Sequence, residues 1–461
     1  MRRAPRTNGF ARVLRNVVVS IIFVNFSRNA GRRAKATTPE QTVSIGAPLS
    51  ECYVLVTSLS AWEQYVTKEY HDWMLGLVRS HGWKEAKPEL FEQLQIHEET
   101  VTNELRQICD GRPPSFILFV EMYGLIQTRA MDVLKFLRSN GAVKLGFWMN
   151  DVQVPALREM GLSGRARFFK AFDIVFGPYT YLLPVFYPSL RIDNAVWLPN
   201  AVAMEMQNVT FQDRPEYHRI FVPGAVDQLW YPVRTWAVQH ASRDGSVFVG
   251  LSHPGYSVHA RVSFEKIDLA NAVERGMIMG NVQGAEYALL SGRFVACLTD
   301  LQRISAVVSK HFELPATGCL LLTSNQHAGI LHALGFKDRV NCILYDKYDP
   351  ETTIKWVLDP ANEHQVNQIR RAGYDFIRSN HLIQHRVNYV AEVSKRTVHG
   401  DKRRDAFSPP EMSRLNSCPC PFIGETACEC FENWKLVIQS TQSGGESLLE
   451  KEISSNLKQC T

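Results

Sequence analysis

The sequence predicts an α/β protein of two doubly wound halves that face each other across a cleft. Three observations lead there. Apolar runs of strand length alternate with amphipathic stretches from Glu51 onward, one proline-bearing segment interrupts the alternation, and the pattern then resumes to about Lys395. With 461 residues, 45% hydrophobic and 21% charged, the chain can bury two or three cores, which excludes fibrous and wholly disordered classes.

In the first half, the runs at 52–57, 116–120, 143–148 and 172–176 read as buried strands, with a further one at 195–198. Helical periodicity covers 62–79 and 128–138, the latter stopped by Asn140 and Gly141. Residues 199–232 carry Pro199, Pro215, Pro223 and Pro232 with little periodicity, so they read as a connection. In the second half, strands are expected at 246–249, 294–298, 320–323 and 342–344. Helices are expected at 260–275, up to 291, and through 350–395, where Pro360 makes a break and Gly373 is tolerated. The expected organisation is a basic arm (1–45), a first α/β domain (46–215), a second (216–398) and a cysteine-containing tail (399–461). Ligands of open α/β sheets bind at the carboxyl ends of strands, so the cleft is where a site is sought.

The net charge of +5 is not spread evenly. Residues 1–39 hold nine Lys and Arg and no carboxylate, whereas 40–400 hold 35 basic and 37 acidic residues. The body is thus slightly acidic, and no nucleic-acid partner is expected. In the arm, the apolar run 17–26 is about half the roughly 20 residues that a spanning helix needs. A targeting segment, membrane contact and a solvated basic tail are all open readings of this arm, and localisation stays open, with cytoplasmic or membrane-associated favoured. Cys52, Cys109, Cys297, Cys319 and Cys342 lie in apolar contexts and are expected to be free and buried. Cys418, Cys420, Cys428 and Cys430 form two C-x-C pairs; zinc, disulfides and an unstructured tail are all open readings.

No P-loop, G-x-G-x-x-G, G-x-S-x-G or H-E-x-x-H motif occurs, and no two aspartates stand one residue apart. The informative stretch is 310–325, KHFELPATGCLLLTSN. It reads as a helix start bearing a carboxylate, then a glycine-bounded turn and a buried strand. Such a helix start can hold phosphate on its amides, with Lys310 to neutralise it, while Glu313 can accept ribose hydroxyls. The competing reading is that Glu313 caps the helix and the rest is core.

This stretch resembles the F-E-x-x-A-x-G-x-x-L-L-T block of the group 1 glycosyltransferase-like proteins related to the spore maturation protein CgeB. Residues 369–386 (IRRAGYDFIRSNHLIQHR) are similar to that family's A-G…H…R helix, with Ala372, Gly373, His381 and Arg386 on motif positions. Residues 345–349 resemble its acidic turn, 248–261 (FVGLSHPGYSVHAR) its F-V-G turn with a following Arg, 147–151 (FWMND) its W-x-x-D strand end, and 221–232 its proline-bounded crossover.

The resemblance implies two Rossmann-like domains in the GT-B arrangement, and a metal-independent hexosyl or related transfer from a nucleotide-sugar to a carbohydrate, lipid or protein acceptor. No cofactor is implied, since the donor is a substrate. Lys310 and Arg261 would balance the diphosphate and Glu313 would hold the donor. Gly250 and Gly318 would admit the backbone closely, and Asp151 would serve as acceptor-side base. The chain departs from the family where Ser305 replaces a second glutamate and where Lys310 stands for an arginine. Two rival readings are a non-catalytic binder of a sugar-nucleotide or a partner, and a sugar-nucleotide epimerase.

Overall fold

The computed structural model describes residues 51–401, apart from 63–67, 93–97, 122–129, 140–142, 152–160, 184–191, 228–230, 244, 254–266, 281, 302–305, 326–327 and 347. The basic arm, Arg261, Ser305 and the four tail cysteines therefore lie outside the described residues.

Two six-stranded parallel sheets organise the chain. The first runs in the order β2-β1-β3-β4-β5-β6 and consists of β1 (Tyr53–Val56), β2 (Lys84–Ala86), β3 (Phe116–Val120), β4 (Lys144–Trp148), β5 (Ile174–Gly177) and β6 (Ala195–Trp197). The second runs β12-β11-β10-β7-β8-β9 and holds β7 (Tyr217–Val222), β8 (Phe248–Leu251), β9 (Met277–Ile278), β10 (Phe294–Leu298), β11 (Leu320–Ser324) and β12 (Ile343–Tyr345). Strands covered on both faces read as unbroken apolar runs, and β3, β10 and β11 are buried at every position. Phe116, Phe147 and Phe176 are fully buried, each contributing roughly 1.5–3 kcal/mol of transfer free energy.

The helices that bear on the site are α1 (Lys68–His81), α2 (Glu98–Ile108), α3 (Pro232–Ala241), α4 (Gly284–Ser291), α5 (Lys310–Ala316), α6 (Glu363–Asn380) and α7 (Ile383–Val398). Helix α7 follows the second sheet in sequence but packs with the first: Ile383, Val387, Val390 and Val393 share a buried cluster with Trp73, Met74 and Leu77 of α1. Gly76 permits the close approach, because a Cβ there would lie 2.5 Å from Val387 Cγ2. The 216–398 range thus contains a helix whose packing partner is the first sheet.

The connection between the sheets is shorter than 199–232, since β7 occupies 217–222. Only the last three residues of β7 are buried, and Tyr217, His218 and Arg219 hide the strand from a hydrophobicity pattern. Arg219 is satisfied at 2.6 Å by the carbonyls of Gly245 and Val273. Strands β2 and β9 also escaped the pattern, being three and two residues long.

Side chains from both ends of the chain hold this crossover. Arg386 donates from Nε to the Pro199 carbonyl at 2.8 Å and from Nη2 to that of Asn200 at 3.1 Å. His381 orients it, with Nδ1 2.7 Å from Arg386 Nη2 and Nε2 2.9 Å from the Leu334 carbonyl. Burial and the Arg386 charge lower the His381 pKa to about 3, so it stays neutral. From α1, Asp72 accepts the Met204 amide at 2.7 Å, while Glu69 accepts the Ala201 amide at 3.2 Å and the Ser309 hydroxyl at 3.1 Å. Further along, Arg378 of α6 donates to the Gln207 and Val209 carbonyls.

The cysteines correct an expectation. Cys52 is bonded to Cys109, and Cys297 to Cys319; of the five body cysteines only Cys342 is free and buried. Parallel packing brings the partners together, as Cys297 lies in β10 and Cys319 immediately precedes the neighbouring β11.

Two outcomes follow from this fold. Replacing both Cys52 and Cys109 by alanine should cost about 2–4 kcal/mol in urea unfolding, because the bond closes a loop with a sequence separation of 57, and non-reducing peptide mapping should recover both linkages. For Glu69, burial and then the Glu313 carboxylate raise the pKa well above the ordinary carboxylate range, although Ala201, Ser309 and Arg386 act the other way. The native chain therefore keeps this proton to higher pH than the unfolded chain. Its contribution is fully present below the ordinary carboxylate pKa and is lost as pH rises through the raised native value. Glu69→Gln should gain stability relative to wild type between pH 5 and pH 8; a constant difference in unfolding midpoint would contradict the assignment.

Candidate functional site

In the second sheet the strand order reverses between β7 and β10, and beside this point a cavity opens at the carboxyl ends of β7 and β8. Its walls include Gly224 after β7, Ser252 and His253 after β8, Tyr287 of α4, and Lys310 and Glu313 of α5. Lys68 of α1 and Glu205 of the crossover line it from the other side.

The positive corner of this cavity is built around Gly224. Its φ of 106° is one that L side chains rarely adopt, and a Cβ there would lie 2.6 Å from Lys310 Cε and 2.9 Å from Arg234 Nη1. Glycine thus lets two cationic side chains converge on one point of backbone. Arg234, in α3, is 2% exposed and fixed by the Ala225 carbonyl at 3.0 Å, the Thr299 hydroxyl at 2.7 Å and the Asp300 carboxylate at 3.5 Å. Lys310 Nζ is 3.4 Å from Glu313 Oε2 and lies 4.9 Å from the centre of the Tyr287 ring. Burial disfavours the lysine charge, yet the Tyr287 hydroxyl and the Glu313 carboxylate leave its pKa above the ordinary value. For His253, burial followed by the charges of Lys310 and Arg234 lowers the pKa to about 4, so the imidazole is neutral at pH 7. A buried arginine and a half-buried lysine beside a carboxylate and a neutral imidazole suit an anionic ligand that also carries hydroxyl groups.

The structure brings Lys310 and Glu313 to one cavity, whereas Gly250, Gly318 and Asp151 do not line it and Arg261 is outside the described residues. Gly250 lies inside β8, where a Cβ would meet Met277 Sδ at 2.9 Å, so close strand packing accounts for it. Gly318, at φ 86°, turns the chain after α5 and makes room for Phe211 at 3.0 Å. Asp151 stands beyond the end of β4 on the first sheet, its charge acting on Glu121 and Tyr179, and it does not line this cavity. His381 and His385 are committed to the crossover and to the start of α7, respectively.

Gly224 and Arg234 escaped sequence reasoning although a signal was present. Residues 221–232, which include Gly224, read in the sequence as a proline-bounded crossover, and Arg234 lies just past that segment. Tyr287 and Lys68 carry no local signal; only the fold delivers them to the cavity.

Residues 258–392 match a family model described as glycosyl transferase-like. No curated protein sequence matches the chain. Among solved structures, sucrose-phosphate synthase from Thermosynechococcus elongatus is similar with a TM-score of 0.51 at 10% identity, covering 76% of this chain and 100% of that one. A glycosyltransferase from Rickettsia africae gives 0.48 at 9% identity, covering 76% and 99%. The Anabaena protein HepE, in complex with UDP and glucose, gives 0.47 at 9% identity, covering 75% and 100%. Residues 258–392, which hold β9 to β12 of the second sheet, thus carry a glycosyltransferase-like sequence, and the whole is an α/β fold of two Rossmann-like sheets in the GT-B arrangement.

Proposed function

We propose that this chain transfers a sugar, hexosyl or related, from a nucleotide-sugar donor to a hydroxyl-bearing acceptor, a reading supported by its glycosyltransferase-like segment and by the resemblance of its motifs to those of CgeB-type proteins. The observation that carries the reading is the convergence of Lys310 and Arg234 on Gly224, beside Glu313, at the β7/β10 reversal, with Lys310 and Glu313 inside the glycosyltransferase-like stretch 258–392.

In this reading the donor diphosphate sits in the corner formed by Gly224, Lys310 and His253. As the bond from the anomeric carbon to the diphosphate oxygen breaks, negative charge grows on that oxygen. Lys310 stabilises it directly and Arg234 does so from behind, both already in place. Glu313 accepts hydroxyls of the ribose or the sugar and keeps the Lys310 ammonium aimed at the diphosphate. With two cations meeting the leaving-group charge, no metal ion and no cofactor has a part in this scheme. The acceptor, whether carbohydrate, lipid or protein, approaches from the first sheet.

A thermal-shift panel of UDP-, GDP- and dTDP-hexoses tests the reading, and at least one should raise the melting temperature. For that donor, Glu313→Ala should abolish turnover without changing the far-UV circular dichroism, and Lys310→Met should weaken binding tenfold or more. EDTA should leave the rate unchanged. Normal turnover in Glu313→Ala would sink the assignment; binding without turnover would favour a non-catalytic binder, and donor conversion without any acceptor an epimerase.

A further inference from the structure

The two disulfides bear on where this chain folds. Cys52, just before β1, is joined to Cys109, just after α2, and Cys297 of β10 is joined to Cys319, just before β11, so each sheet holds one bond. Cys52 is 6% exposed and the other three are fully buried. Exchange at a disulfide needs a thiolate to reach its sulfur, so bonds this deep are closed to soluble oxidants and reductants once the sheets have formed. They are made while the chain is still folding, and disulfides form and persist in an oxidising compartment.

The crossover bears a feature of the same kind of compartment. Asn208, Val209 and Thr210 form the acceptor pattern for an asparagine-linked glycan, with no proline in the middle position. Asn208 ends a 3-10 turn that starts at Met204, and Val209 follows in extended backbone with φ −75° and ψ 122°. Side chains alternate between faces along extended backbone. Accordingly Val209 packs into the core at 6% exposure, whereas Asn208 and Thr210 are both exposed. The acceptor amide and the hydroxyl two residues on are thus open to solvent together. What holds the segment leaves them so: Arg378 of α6 donates to the Gln207 and Val209 carbonyls, and Tyr374 Oη donates to the Val209 carbonyl at 2.9 Å. The path is fixed through main-chain atoms, and a large group on the Asn208 side chain displaces none of these bonds.

We propose that this chain folds in an oxidising lumen and carries an asparagine-linked oligosaccharide on Asn208; the assignment is independent of the sugar-transfer reading. Each pair of cysteine thiols is oxidised by the disulfide of a thiol-disulfide exchange catalyst. One S–S bond forms in this chain, one breaks in the catalyst, and the catalyst leaves as its dithiol. At Asn208, Nδ2 bonds the anomeric carbon of a lipid-linked oligosaccharide diphosphate. The bond from that carbon to the diphosphate oxygen breaks, its electron pair leaves with the lipid diphosphate, and the amide proton passes to a base of the oligosaccharide transferase and then to solvent.

The test is the full chain translated in the presence of endoplasmic-reticulum vesicles without added reductant. Imported wild-type chain should resist added protease, migrate more slowly than the free chain, and return to the unmodified position after peptide N-glycosidase treatment. In heavy-oxygen water that enzyme converts a glycosylated asparagine to labelled aspartate, and peptide mass spectrometry should place the label at position 208. Asn208→Gln and Thr210→Ala should each lose one mobility step and that label, and Thr210→Ser should keep both. Asn25, Phe26 and Ser27 fit the same pattern and lie outside the described residues, so a step that survives in Asn208→Gln should vanish when Asn25→Gln is added. The wild-type label requires no variant to fold. Overturning results are a chain that stays outside the vesicles, an imported chain unlabelled at Asn208, a mobility that Asn208→Gln leaves unchanged, or free thiols at Cys52, Cys109, Cys297 or Cys319 in the imported chain.

Discussion

The clamp of Arg386 on the Pro199 and Asn200 carbonyls is the interaction on which the rest of the arrangement depends. A guanidinium that is 2% exposed must find acceptors for its donors, and here they are backbone carbonyls of the one segment that joins the two sheets. His381, held neutral, fixes the plane of that guanidinium without adding charge. Glu69 and Asp72 secure the following amides, so the path of the crossover is set from α1 and α7 together. Because Glu69 also holds the Ser309 hydroxyl, the position of α5, and with it of Lys310 and Glu313, is tied to the same clamp.

The cavity between Gly224, Lys310 and Glu313 is electrostatically economical. The body of the chain is near neutral, so affinity for an anion cannot come from a diffuse field and must come from placed groups. Lys310 and Arg234 are such groups, because Arg234 is buried and Gly224 leaves space for the two to meet. The first sheet contributes the opposite character, two carboxyl groups and a tyrosine at its strand ends, so the two sheets offer chemically distinct edges.

Much of this was legible in the residues. Strands buried on both faces announce themselves, and 116–120 and 294–298 coincide with β3 and β10 because nothing polar interrupts them. Lys310 and Glu313 were legible because they lie three residues apart on one short helix. What stayed hidden needed three dimensions. Strand β7 begins with polar residues, of which Arg219 is satisfied by the Gly245 and Val273 carbonyls, the two disulfides join positions 57 and 22 apart, and Gly224 and Arg234 acquire meaning only beside their spatial neighbours. The motif histidine and arginine of the 369–386 block were visible too, but their work is holding the crossover rather than touching a ligand.

The return of α7 to the first sheet has a consequence for biogenesis. During synthesis the first domain emerges from the ribosome with α1 already made, yet the partner that covers Trp73, Met74 and Leu77 is encoded more than three hundred residues later. Its core cannot close until nearly the whole second domain has been translated. The order of folding is therefore inverted relative to the order of the chain: the second sheet can assemble first, and the first sheet must wait, with an apolar face exposed, for the last helix to arrive.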